Sequence, residues 1–353
     1  MRGLHFSVAI AAFVAAMMVL GAAAASASHL PKTHLKVVGS WGNLNNYQKH
    51  EKPFWKKVVP DKSHGAITAD IPAITELGLK GWEVMRLTKL GVFDVAFGVF
   101  GYVASEHAVF EGVDLSSAAE DFAASRANVK VYRKILERQF EKTFKAKMLV
   151  VYRYPSQYMW CNKSVSSLTD MKGLKIRVYS TTLGDFVEGV GATSVTVAFA
   201  EVVPALQKGV VACGITGTMP AYKAKWHEVA THVLKINVGA GMAFMAISLK
   251  TWNRLDGATQ RFLSKESAAL EERMWAGAKE DDSVGLRCNT GGPCAIGKAG
   301  SMKLALPGPA DFKARDRILK NFVLKRWAKR CGAACTKDWN DTIGKRIGIM
   351  ARP

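Results

Sequence analysis

Acidic side chains are scarce in this 353-residue chain. Asp and Glu total 29 against 49 Lys and Arg, a formal net charge of +20. With 49% hydrophobic and 22% charged residues the composition is globular, which excludes a disordered or collagen-like chain. Long apolar runs are scarce as well: a single one, at the start, excludes a polytopic membrane protein. No segment repeats at a period of about 20–50 residues, which excludes solenoids and propellers. Cysteines at zinc spacing are absent, so no metal is expected. Cofactor fingerprints are also missing. Gly189-Val-Gly191 lacks its third glycine, Ser194 standing there, and Gly209 to Gly217 has no Lys-Ser/Thr ending for a phosphate loop. No G-x-S-x-G elbow occurs. His227 and His232 imitate H-E-x-x-H, but five residues on a helix turn about 500°, so they do not share a face. Neither a cofactor nor a catalytic group is expected, and the chain reads as a non-enzyme.

The apolar run has the form of a secretory leader. Met1-Arg2 is a short positive region, Phe6 to Ala25 is apolar, and Ala25-Ser26-Ala27 is an A-x-A site. Cleavage before Ser28 is expected, placing the mature chain in the periplasm. In that oxidising compartment the six cysteines are disulfide candidates, with 15 pairings open. Cys288 and Cys294 bracket a Gly-rich turn, and Cys331 and Cys335 lie four apart at a helix end. Those local pairs would leave Cys161 with Cys213.

Hydrophobic periodicity gives strands at Leu35–Val38, Ile67–Ile71 and Val92–Phe97, alternating with helices at 47–59 and 76–90. A long helix is expected over 117–145, where Tyr132, Leu136, Phe140 and Phe144 recur at i+4. A strand at 147–152 opens a second βα series: strands at 174–178, 195–197 and 210–214 around helices near 182–190 and 200–208. A strand at 242–247 and a helix capped by Asp256 and running to about 280 follow. The alternation predicts α/β architecture with parallel sheets in two lobes, and a ligand cleft between them. Residues 311–330 hold eight Lys or Arg and two Asp. The reading is a solvated basic helix face. An exported protein rarely meets nucleic acid, so none is expected as a partner; weak attraction to anionic surfaces stays open.

The run Leu168-Thr-Asp-Met-Lys-Gly-Leu-Lys-Ile-Arg-Val178, followed by Gly191-Ala192, Phe199-Ala-Glu-Val202 and Ala205-Leu-Gln-Lys-Gly-Val-Val211, resembles the DctP-type solute-binding proteins of tripartite ATP-independent periplasmic (TRAP) transporters. The resemblance spans essentially the whole mature chain. It implies a two-lobed periplasmic-binding-protein-like fold with a long helix spanning both lobes, and hinge closure on a small organic anion. It also implies delivery to a small and a large membrane subunit, driven by an ion gradient, by a protein expected to be monomeric. The implied division is leader 1–27, first lobe 28–152 plus about 240–275, and second lobe 153–239 plus about 276–353. An exported enzyme on a similar fold, or a sensing module for a receptor, remain the alternatives.

The family's anion anchor falls on Arg177. A guanidinium suits that role, being a planar fork of donors that cannot be deprotonated in a closed cleft. The aromatic packed on the ligand falls on Phe199, with Glu201 a structural partner. The family's hydrogen-bonding Asn is replaced by Thr216, with Thr218 beside it, and a further polar position falls on Gln157. The first lobe contributes Trp41 and the region of Phe97, Val99 and Phe100, with Tyr102 further out. Trp41, Phe100, Phe199 and Met219 are expected to line an apolar slot. The ligand is then a carboxylate with an apolar or aromatic body; hydroxy acids, keto acids and sulfonates stay open.

Overall fold

The structure, a computed structural model, describes residues 30–352; the expected leader lies outside the described residues. Two sheets organise it. The first holds β1 (Thr33–Val38), β2 (Ile67–Asp70), β3 (Val95–Val99), β4 (Ala146–Arg153) and β10 (Met242–Ser248), in the order β2-β1-β3-β10-β4. The second holds β5 (Gln157–Cys161), β6 (Lys175–Val178), β7 (Thr193–Thr196), β8 (Cys213–Gly217), β9 (His232–Leu234) and β11 (Lys303–Ala305), in the order β11-β9-β5-β8-β6-β7.

Neither sheet is purely parallel, which corrects the expectation from the βα alternation. β1 is parallel to β2 and β3, whereas β10 runs antiparallel to both β3 and β4. The cause is the double crossing between lobes. β4 leaves the first sheet at the end where β10 later enters it, so Arg153 faces Met242 and the strands oppose each other. The same holds for β5, which enters the second sheet, and β9, which leaves it. The crossings themselves are residues 154–156 and 235–241. The second is held by Asp114, which accepts from the backbone N–H groups of Ala240 (2.9 Å) and Met242 (2.8 Å).

Helices cover the sheets. The expected helix at 76–90 shrinks to α1 (Val84–Lys89), because Gly78 and Gly81 take left-handed turns at φ 67° and 105°. Gly81 is needed there: a Cβ would strike the Tyr102 ring, against which Trp82 stacks at 4.6 Å. α2 (Phe122–Phe144) is capped by Asp121, which accepts from Ala124 N, and it buries the four aromatic and Leu positions of its i+4 stripe. α3 (Thr181–Gly189) and α4 (Thr218–Lys223) follow β6 and β8. α5 (Gly257–Asn289) is capped by Asp256 at Thr259 N and runs nine residues past the expected end, about 50 Å in all.

That length lets α5 join the lobes. Near its middle the Trp275 indole donates to Val151 O in β4, and Glu271 accepts from Val151 N. At its far end Asn289 donates to Thr218 O at the start of α4. Gly285 lies so close to the Thr218–Met219 backbone that a Cβ would fall inside contact distance. Backbone cannot move aside as a side-chain tip does. Gly285→Ala should therefore cost about 3 kcal/mol or more, read as a lower urea midpoint at unchanged m-value.

The C-terminal helices, α6 (Pro309–Ile318) and α7 (Leu324–Trp339), were expected with the second lobe, but they touch both. The indoles of Trp327 and Trp339 donate to Ala108 O and Gly112 O on the first-lobe side. Arg330 pairs with Glu111 at 2.9 Å and with Asp185 of α3 at 2.7 Å. All three disulfides form, Cys161–Cys213, Cys288–Cys294 and Cys331–Cys335, leaving no free thiol.

Candidate ligand-binding site

Between the two sheets lies a cavity of about 40 Å³. It takes Trp41, Leu44, Val99 and Tyr102 from the first lobe, Tyr154 and Gly241 from the crossings, and Gln157 from the start of β5. Arg177, Tyr179, Phe199, Thr216 and Pro220 complete it from the second lobe. Trp41 and Phe199 meet edge to face across the cleft at 5.6 Å, and outside them a groove of about 500 Å³ leads to the surface. At the mouth Lys80 of one lobe pairs with Glu201 of the other at 2.7 Å. Both groups are exposed, so this pair adds little to closure.

Arg177 sits on β6 with 1% exposure. Nε donates to Val197 O at 2.9 Å and Nη1 to Ile215 O at 2.8 Å, which fixes the guanidinium plane. Nη2 is buried without a partner. No carboxylate pairs with Arg177 among the described residues; the rings of Tyr179, Phe199 and Trp226 surround it at 5.4, 5.9 and 6.0 Å. Burial lowers its pKa, and the Tyr102 and Tyr179 hydroxyls offset part of that. The arrangement is a desolvated cation held in one orientation, with Nη2 and the second hydrogen of Nη1 unspent.

Gln157 is fixed just as firmly. Its Nε2 donates to Pro155 O at 2.7 Å and its Oε1 accepts from the Tyr179 hydroxyl at 3.2 Å. Gly241, at φ 59°, leaves no room for a Cβ beside that amide. Thr216 opposes Tyr158 in the β5–β8 ladder and lines the cavity, while Thr218 turns away to Asp281 and Asp282.

Five of the seven expected site residues thus converge on the cavity: Trp41, Gln157, Arg177, Phe199 and Thr216. Two do not. Phe100 is fully buried in the first-lobe core against Phe110, Phe140 and Phe244. Met219 packs with Tyr222 and Cys288 under α5, and its neighbour Pro220 lines the cavity instead. The slot is largely apolar, as expected, but Tyr102, Tyr154 and Tyr179 line it with Trp41 and Phe199 in place of Phe100 and Met219. Tyr102 is a wall of the cavity rather than an outlying residue.

A buried acid supports the loop that presents Trp41. Glu51 is wholly buried and accepts from Ser40 N (2.7 Å), Ser40 Oγ (2.8 Å) and the Tyr152 hydroxyl (3.3 Å), with no cation paired to it among the described residues. Burial raises its pKa from 4.5 to about 7, the three hydrogen bonds opposing. Between those values the folded chain binds a proton that the unfolded chain has lost. Stability therefore falls as pH rises from about 4.5 and levels off above 7, by about 3 kcal/mol in all. Glu51→Gln should recover most of that at pH 8 and change little at pH 4.5, as urea titrations at the two pH values would show.

Known proteins share this design. The family model for DctP, bacterial extracellular solute-binding protein family 7, matches residues 39–285. The sialic acid-binding periplasmic protein SiaP of Vibrio cholerae is 24% identical over 251 residues, 68% of this chain and 75% of that protein. DctP6 of Bordetella pertussis, an extracytoplasmic solute receptor described as binding pyroglutamic acid, superposes with a TM-score of 0.78. It is 24% identical, over 89% of this chain and all of that one. A TRAP solute-binding protein from Desulfovibrio salexigens with bound orotic acid gives a TM-score of 0.80 at 17% identity, over 90% of this chain and all of that one. The family match spans well over half of the sequence, and the chain belongs to the DctP family of bacterial extracellular solute-binding proteins.

Proposed function

We propose that this protein captures one small carboxylate in the closed cleft and hands it to the small and large membrane subunits of a TRAP permease, for uptake driven by an ion gradient. The observation that carries the reading is Arg177: a buried guanidinium, held by two carbonyls, with no carboxylate of its own and a free Nη2. A charge desolvated in this way is costly unless an anion joins it. The relatives that bind pyroglutamic and orotic acid, each a compact ring carrying one carboxylate, support a ligand of that size. The protein works in the periplasm after loss of its leader, and no helix among the described residues is long and apolar enough to cross a membrane. We read it as a receptor and not an enzyme, as its family is. An exported enzyme would need a nucleophile–base pair or a cofactor in the cleft, and free thiols at Cys161 and Cys213 would have favoured that reading, but the two are joined to each other.

A thermal-shift screen of small carboxylates, sulfonates, amines and neutral sugars tests this. A ligand at 100 times its Kd adds about 2.7 kcal/mol of stability. Stabilisation by a carboxylate is the expected result. Stabilisation only by amines or neutral sugars would remove the basis for the reading.

A further inference from the structure

The basic run at 311–330 has no part in the ligand site. It lies on the helix from Pro309 to Cys331, made of α6, a wider turn at Leu319–Val323 and the first half of α7. Ile318, Leu319, Val323, Leu324, Trp327 and Ala328 bury the inner side of that helix. Its cations divide into two sets. Arg315, Arg326 and Arg330 are spent on the protein's own acids: Arg315 on Glu120 and Asp316, Arg326 on Asp185 and Glu188, and Arg330 on Glu111 and Asp185. Lys313, Arg317, Lys320, Lys325 and Lys329 are exposed, and none of them pairs with a carboxylate among the described residues. The two acids of the run do not offset them. Asp311 is buried, accepting from Leu168 N and Gly308 N, and Asp316 is held by Arg315. The five free cations also share a side. On an unbroken α-helix Lys325 and Lys329 would stand about 120° and 160° round from Lys313. The turn at Leu319–Val323 closes with Leu324 N–H donating to Leu319 O, five residues back, so it rotates less per residue and draws both lysines back into line. The result is a basic stripe about 24 Å long.

We propose that this stripe rests the protein reversibly on an anionic phospholipid bilayer, by charge and without insertion. A rigid, straight row of cations matches a charged plane, which every member of the row meets at once. Four of the five are lysines, hydrated point charges that suit a diffuse anionic field better than a fitted pocket, where the planar fork of Arg is favoured. The arginines of this helix that could fork a carboxylate are the ones already spent inward. Each Lys or Arg near an anionic lipid surface strengthens binding about fivefold, and the attraction fades within a Debye length. Two or three cations in contact therefore give a weak, salt-sensitive hold that leaves the protein free to slide. The inference goes beyond the ligand reading. It is independent of the cleft and its solute, and takes from that reading only that the protein works beside a membrane holding its permease.

The test is co-sedimentation of the leaderless chain, without solute, on vesicles of phosphatidylcholine alone or with about one-third phosphatidylglycerol. Salt is set at about 0.01 and 0.15 M, Debye lengths of about 30 and 8 Å. The wild type is expected to bind the anionic vesicles about tenfold or more tightly than the neutral ones, and more weakly at the higher salt. Changing Lys313, Arg317, Lys320, Lys325 and Lys329 together to Gln should weaken that binding about twentyfold or more, the worth of two cations in contact. A control removes five charges elsewhere, changing the exposed and unpaired Lys57, Lys130, Lys134, Lys142 and Lys279 to Gln, and should lose less than about threefold. Circular dichroism melts of both variants check that the fold is kept. Equal binding to neutral and anionic vesicles would overturn the proposal. So would a control that loses as much as the stripe variant, since net charge and not the stripe would then be responsible. Polyglutamate in free solution binding as tightly, charge for charge, as the vesicles would assign the stripe to an acidic protein segment and overturn the membrane assignment. Each of these failures leaves the Arg177 reading standing.

Discussion

Arg177→Ala should weaken carboxylate binding by roughly 30- to several-thousand-fold, the equivalent of about 2–5 kcal/mol for removing one partner of a desolvated charge pair. Part of that loss is the penalty on the ligand's anion, which would enter the cavity with nothing to meet it. Arg177→Lys should recover little. An ammonium keeps the charge but cannot hold Val197 O and Ile215 O while also offering a planar fork to the ligand. Phe199→Ala should cost less, about 1.5–3 kcal/mol for a buried apolar side chain. The fold should survive Arg177→Ala with a stability loss of about 1–3 kcal/mol, from the two carbonyls left without donors. Calorimetry with an acid found by thermal shift gives the ordering, and circular dichroism separates lost binding from lost structure. Binding within threefold of wild type in Arg177→Ala would end the anchor assignment.

Removing the Cys161–Cys213 disulfide should cost more stability than removing either of the others. The pair joins facing positions of β5 and β8 and closes a loop with a sequence separation of 52. On the chain-entropy account that loop is worth about 4 kcal/mol, against about 2 kcal/mol for the separations of 6 and 4 in Cys288–Cys294 and Cys331–Cys335. The loop contains β6, α3 and β7, and therefore Arg177. Paired Cys→Ala variants, unfolded in urea without reductant, would show whether the 161–213 pair stands apart. Equal midpoints for the three double variants would mean that residual order in the unfolded chain, not loop length, sets these contributions.

Much of the fold was legible because it rests on local signals. The i+4 stripe of α2, the Asp256 cap at the start of α5 and the βα alternation place most of their elements within a few residues, the expected helix at 76–90 and the far end of α5 excepted. β5 was not legible: all five of its residues are buried, so no alternation betrays it, and Pro155 just before it reads as loop. The antiparallel strands were missed because their direction follows from the chain crossing between lobes twice, which no window of sequence contains. In the site, Arg177 was legible through the family-like run around it. Phe100 and Met219 failed for a shared reason. Each stands at or next to the start of a single helical turn, Phe100–Val103 and Thr218–Lys223. One residue of rotation there, about 100°, decides which side chain faces the cleft. Tyr102 and Pro220 took those places. Tyr154 was passed over because Tyr152-Arg-Tyr154 has the pattern of strand interior.

The isolation of Arg177 from any carboxylate bears on traffic through the transporter. Nη2 is buried without a partner in this structure, and parting the lobes would hydrate it. Shutting on nothing would strand a bare cation, whereas shutting on an anion would neutralise it. The unloaded protein would thereby be biased toward open shapes, and the loaded one toward closed shapes, by the ligand's differential affinity for the two. A permease that recognises the closed outline would be reading occupancy without ever touching the solute. Empty receptors, however abundant, would then compete poorly for the dock, and few transport cycles would run without cargo.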